Sequence, residues 1–95
     1  MNSRFGTYRT KSGRFYFRWL FESHDNGEVR AYIVRAPAYG NKPSEPHRTH
    51  LAQDGHQNLP YIHFEPMPRS FDDAVAIAKE WAERTEDYIV NSKEF

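Results

Sequence analysis

Four of the chain's five histidines fall in one stretch, His47, His50, His56 and His63, spaced H-x2-H-x5-H-x6-H. Neutral imidazoles are good zinc ligands. Three of them on one ion would leave a fourth position for water, the arrangement of a metal-dependent hydrolase. Asp54 or Glu65 lies close enough in sequence to help. Such chemistry asks for a rigid frame, as when a helical H-E-x-x-H sets two histidines one turn apart, and this chain has no such motif. His47, His50 and His56 sit instead in a segment rich in proline and glycine, where a histidine is most often an ordinary polar residue. A zinc hydrolase built on these three is therefore the minor reading.

Other catalytic sets are weaker. His47 and Thr49 form a single H-x-T pair, whereas the two-histidine phosphoesterases need two, and His63 is followed by Phe64 and Glu65. Ser44 and Asp54 accompany the histidines, but no nucleophile elbow or glycine-rich phosphate loop is present. With no cysteine, thiolate nucleophiles, disulfides and cysteine-bound metals are excluded. The chain reads as non-enzymatic and free of cofactor.

A second pattern is stronger. In SGRFYFRWLFES, residues 12–23, the odd positions Phe15, Phe17, Trp19 and Phe21 are all aromatic, while Arg14, Tyr16, Arg18 and Glu22 alternate with them. Period-two alternation marks a strand with two unlike faces, one of which belongs in a core. The stretch EVRAYIVR repeats the pattern with Arg30 and Tyr32. Arginine and tyrosine interleaved on a sheet suit single-stranded nucleic acid, because rings stack on bases and guanidinium groups hold phosphates. The candidate surface is Arg14, Tyr16, Arg18, Arg30 and Tyr32, extended by Tyr61 and His63. The competing reading is a solvated or protein-binding face, since tyrosine is common on exposed strands.

Positioning these residues needs a defined register. A two-residue Asn26-Gly27 loop would oppose Phe21 to Tyr32 and mix the faces. A three-residue loop, Asp25-Asn26-Gly27, opposes Phe21 to Ala31, Trp19 to Ile33 and Glu22 to Arg30, and gives Gly27 the left-handed position. A one-residue slip would turn the core outward, so the three-residue loop is expected.

The strands are expected at 14–22 and 28–35, with an edge strand at 5–9 after a frayed start. A short strand lies between Pro60 and Pro66, with Ile62 and Phe64 on one side. Residues 36–59 read as a long loop, with room near 49–53 for a short strand or turn of helix. Ser70 caps a helix, and Asp72 and Asp73 favour its positive end. Phe71, Ala74, Val75, Ala78, Trp81 and Ala82 fall at helical spacing. Its far end is open: Glu86 and Asp87 oppose the dipole, and Tyr88-Ile89-Val90 has strand character. The expected fold is α+β in two layers, an antiparallel sheet of three or four strands packed on one C-terminal helix, with one sheet face open. Trp19 and Trp81 belong to its core.

This order, strands followed by one helix, resembles the sheet-plus-helix DNA-binding domains at the front of some integrases and in certain plant transcription factors. The resemblance spans the hairpin and the helix and implies nucleic acid as a partner. The segment 36–59 departs from it, and no family residue carries over.

Composition sets the outer bounds. Ninety-five residues make a single domain, 1–95, and fifteen aromatics must supply most of its core. Net charge is zero, yet residues 1–50 hold nine Lys/Arg against four Asp/Glu and residues 51–95 the reverse, so a neutral chain can carry a basic surface. No apolar run has the length of a membrane span, and the first residues lack the apolar stretch of a signal peptide. With no disulfide staples, a cytoplasmic setting is expected. The whole points to a small binding module with a nucleic acid or a protein as partner. A protein alternatively engages the acidic helix face (Glu80, Glu83, Glu86, Asp87) or the long loop, as in accessory or inhibitor proteins of mobile elements. An uncovered edge strand offers a route to self-association.

Overall fold

In a strand every second side chain lies on the same side of the sheet, and the aromatic row obeys this. Phe17, Trp19 and Phe21 are at most 1% exposed. The computed structural model describes residues 2–37, 51–53 and 59–93. The elements are β1 (Ser3–Arg9), β2 (Tyr16–Ser23), β3 (Val29–Arg35), β4 (Leu51–Ala52), β5 (Tyr61–Ile62) and α1 (Phe71–Asn91). All strands pair antiparallel in one open sheet of order β1-β2-β3-β5-β4, and α1 covers one face. The α+β two-layer architecture is as expected, with five strands in place of three or four. The edge strand is longer than the alternation at 5–9 suggested, and the segment near 51–53 does hold a short strand.

The helix reaches the sheet closely because its inner stripe is small. Ala74, Ala78 and Ala82 are at most 1% exposed and flank Trp81, whose ring meets Phe17 edge to face at 5.6 Å. Trp19 stacks on Phe17 at 6.0 Å and touches Phe21 at 5.8 Å. Aromatic edges and faces interlock at these distances, adding about 0.5–1.5 kcal/mol per pair beyond burial. Across β1 the row passes over Gly6, where an added Cβ would come within 2.7 Å of the Phe21 ring. Nothing larger than glycine fits there unless that ring moves.

The β2–β3 hairpin has the three-residue loop. His24 N–H donates to the Glu28 carbonyl at 2.8 Å, Gly27 N–H donates to the His24 carbonyl at 2.9 Å, and Gly27 has φ 92°. Trp19 opposes Ile33, Phe21 opposes Ala31, and Glu22 opposes Arg30. One irregularity follows. The register shifts between Arg18 and Trp19, so Arg18 opposes Arg35 and Val34 is an extra residue in β3. Such a bulge re-aims the side chains beside it.

The helix starts at the expected cap, the Asp73 N–H donating to Ser70 Oγ at 3.1 Å. It continues past the acids at Glu86 and Asp87 to Asn91, although its last turn holds no basic residue. Tertiary packing overrides both the dipole and the strand propensity: Thr85 is fully buried, donating to the Trp81 carbonyl at 2.8 Å, and Tyr88 is 3% exposed. The helix then ends at Ser92, which is left-handed at φ 59°.

Trp81 is the point where helix and sheet lock. Trp81→Ala should cost about 3–5 kcal/mol, out of a total of about 5–15 kcal/mol for a small domain. Urea denaturation followed by Trp19 fluorescence measures it, and a loss near 1 kcal/mol would place the core elsewhere.

Candidate functional site

The face of the sheet turned away from α1 is set by register. Residues directly opposite one another share a face, so its rows run Phe5–Leu20–Tyr32–Tyr61–Ala52, then Thr7–Arg18–Arg35, then Arg9–Tyr16, with Ser3–Glu22–Arg30 at the opposite end. The two ends of this face differ sharply in exposure.

Around Glu22, Arg30 and Tyr32 the face is closed. Tyr32 is 0% exposed and Glu22 6%. The Tyr32 hydroxyl lies 3.1 Å from His24 Nε2, which lies 3.3 Å from Glu22 Oε1. The Tyr32 and Tyr61 rings meet edge to face at 5.6 Å, and the Arg30 guanidinium sits 4.6 Å from the Tyr61 ring. Arg30 Nε donates to Glu28 at 3.2 Å. Burial opposes the Arg30 charge, but hydrogen bonds to Tyr32 and Glu28 outweigh it and raise its pKa above the ordinary arginine value. Arg30, Tyr32 and Tyr61 thus come together, but as a bonded cluster that satisfies itself. Tyr32 does not present a ring for stacking, because its own neighbours enclose it.

The other end is open. Phe5 is 59% exposed, Tyr16 38% and Val34 41%; Arg9, Arg14, Arg18 and Arg35 are all exposed. Arg18 lies 4.6 Å over the Phe5 ring and Arg9 5.6 Å over Tyr16. Arg18 and Arg35 are directly opposed, a like-charge pair that normally destabilises a sheet. Among the described residues no carboxylate occupies these three rows from Phe5 to Arg9. Beyond Tyr16 a cleft of about 520 Å³ opens, lined by Arg9, Arg14, Arg35, Phe15, Tyr16 and Pro37.

Arg14, Tyr16 and Arg18 therefore gather on or beside this open end as the sequence pattern suggested. Arg9, Arg35 and Phe5 join them. Phe5 and Arg9 follow from pairing 3–9 with β2 along its full length, which the alternation Phe5-Thr7-Arg9 does signal. Arg35 arrives through the bulge, which leaves no such mark. His63 stands apart, half-exposed, 3.3 Å from Glu65. His47, His50 and His56 lie outside the described residues. Among the described residues no three His, Cys, Asp or Glu side chains are grouped to hold a metal ion, and no helix is long and apolar enough to cross a membrane.

The acidic helix face is put to a different use. The Tyr8 hydroxyl donates to Glu83, the Lys11 N–H donates to the same oxygen at 3.0 Å, and Ser12 Oγ donates to Glu86 at 2.8 Å. These two carboxylates pin the β1–β2 turn, residues 10–15, to α1, and so fix the frame that carries Arg14, Phe15 and Tyr16. Only Glu80 and Asp87 of the acidic set remain outward, bonded within the helix to Arg84 and Asn91. The hydrogen bond to Glu83, with burial and the charges of Glu83 and Glu86, pushes the Tyr8 hydroxyl up to about 12. Hydrogen bonds from Thr10 and Ser12, with the charge of Arg14, hold Glu86 below the usual glutamate value against a smaller effect of burial.

No family model, curated protein or solved structure matches this chain.

The clamp gives a pH signature with opposite signs at its two ends. Glu86 is depressed, so its contribution is present above the ordinary glutamate pKa and is lost as pH falls through the folded value. Tyr8 is raised, so its contribution is complete below the ordinary value of 10.0 and is lost as pH rises from there toward about 12. Glu83→Gln should bring the Tyr8 ionisation, read by ultraviolet difference absorbance, back toward the ordinary tyrosine range. It should cost about 1 kcal/mol, below the roughly 1.5–3 kcal/mol of a buried hydrogen bond to a charged group, because the site is part-exposed. An unchanged Tyr8 titration would show that the clamp is not formed in solution.

Proposed function

We propose that this chain is a small, non-catalytic binding module that takes single-stranded nucleic acid across the open end of its outer sheet face. The observation that carries this reading is the gathering of Arg9, Arg14, Arg18 and Arg35 around two exposed rings, Phe5 and Tyr16, with no described carboxylate in the same rows. Guanidinium groups hold phosphate oxygens, while the rings offer flat surfaces on which unstacked bases lie. Arg18 lies over Phe5 and Arg9 over Tyr16, and a base could extend either stack by lying on the guanidinium plane. Arg18 and Arg35 are directly opposed in register, and a phosphate held by both would offset that pairing of like charges. Arginine and aromatic residues are also common in protein interfaces, so what favours a polyanion here is four like charges with no described carboxylate in the same rows.

Fluorescence anisotropy with labelled oligo(dT) at two salt concentrations tests the reading. Each phosphate contact on a single strand contributes about −0.7 to the slope of log K against log salt, so four arginines set a ceiling near −3. Arg18→Ala should make that slope shallower by about 0.7 while changing stability by less than about 1 kcal/mol, because the lost contact with Phe5 is offset by relief of its pairing with Arg35. Tyr16→Ala should weaken binding by about 1–3 kcal/mol while leaving the slope in place. No binding at low salt, or binding indifferent to both substitutions, would overturn the proposal.

A further inference from the structure

The cleft beyond Tyr16 differs from the rest of the open end, since here three arginines, Arg9, Arg14 and Arg35, line one concavity. Its volume of about 520 Å³ lies within the usual range for a small-ligand pocket. One wall is aromatic: Phe15 is half-buried and packs against the core, so it is fixed, and Tyr16 presents a partly exposed ring. Of the three, Arg9 is set in place and Arg14 lies within reach of the Glu86 charge. Arg9 donates to the Gly13 carbonyl at 3.1 Å and lies over Tyr16. Gly13 itself belongs to the turn that Glu83 and Glu86 pin to the helix.

We propose that this cleft is a phosphomonoester pocket, with the planar ring of a nucleotide against Tyr16 and its phosphate among Arg9, Arg14 and Arg35. The proposal deepens, and rests on, the reading of the outer face as a nucleic-acid surface. An internal phosphodiester carries one charge and two free oxygens, which one or two arginines satisfy. A monoester carries a charge of about −1.5 to −2 at pH 7 and three acceptor oxygens, the complement of three guanidinium groups. A strand lying over Phe5 and Arg18 would end here with its terminal phosphate in the cleft, and a free nucleoside monophosphate offers the same group.

The experiment compares oligo(dT) of about twelve nucleotides, a length within the usual footprint of such surfaces, carrying a phosphate or a hydroxyl at the 5′ end, and separately at the 3′ end, with the label opposite. AMP and adenosine are titrated alongside, followed by amide chemical shifts. One phosphorylated end should bind about tenfold tighter than its hydroxyl form, a step of about 1.4 kcal/mol. That preference should grow from pH 5 to pH 7 as the monoester takes its second charge near pH 6. Arg35→Gln should abolish it, while hydroxyl-ended strands bind more weakly by one phosphate contact, with a salt slope shallower by about 0.7, and no longer differ from phosphorylated ones. AMP alone showing binding at Tyr16 and Arg35 would make a free mononucleotide the ligand. Equal, salt-sensitive binding of phosphorylated and hydroxyl ends, with AMP no better than adenosine, overturns the pocket and leaves the wider face standing. If no oligonucleotide binds, the wider reading falls, and the pocket then stands or falls on AMP against adenosine.

Discussion

Everything in this molecule hangs on one aromatic seam. Phe17, Trp19 and Phe21 line one side of β2 and meet Trp81 from the helix, which can approach only because Ala74, Ala78 and Ala82 surround it. In a chain with few aliphatic residues, interlocked rings supply the close packing that leucine and isoleucine provide elsewhere. The seam also dictates the opposite face. With the odd residues of β2 held inward, the even residues Tyr16, Arg18 and Leu20 must point outward, and β1 and β3 follow through their pairing.

That outer face is two surfaces on one sheet. At one end a polar cluster around Tyr32 is closed by rings and hydrogen bonds; at the other, arginines and two rings stand open. The division comes from the chain itself. At the β2–β3 hairpin end Glu28 pairs with Arg30, and His24, bonded to Glu22, joins Tyr61 in enclosing Tyr32. The β1–β2 end sends its acids elsewhere: the carboxylates nearest to it, Glu83 and Glu86, are drawn to the turn by Tyr8, Lys11 and Ser12. Positive charge is thereby left on the open rows, and the turn beside them is held still.

Much of this was legible in the sequence. The alternation in residues 14–22 and the requirement that Phe21 meet Ala31 determined the hairpin loop and its register, and Ser70 marked the helix start. What was not legible depended on contacts distant in sequence. The helix outlasts its acidic end because Thr85 and Tyr88 find buried places, which no local pattern announces. Tyr32 reads as an exposed tyrosine on a polar face, but Tyr61 and His24 enclose it. Arg35 joins the open rows only through a bulge, and Glu83 and Glu86 read as outward charges until the turn of residues 10–15 is folded against them.

The most direct test of a nucleic-acid surface at the open end is a residue-resolved map: amide and arginine side-chain chemical shifts recorded as unlabelled oligo(dT) is added at low salt. Shifts concentrated at Phe5, Thr7, Arg9, Tyr16, Arg18 and Arg35, with the Glu22–Arg30–Tyr32 cluster and the outer side of the helix unmoved, are what this account predicts. Shifts centred on the helix, or on β4 and β5, would contradict it, as would a spectrum that does not change.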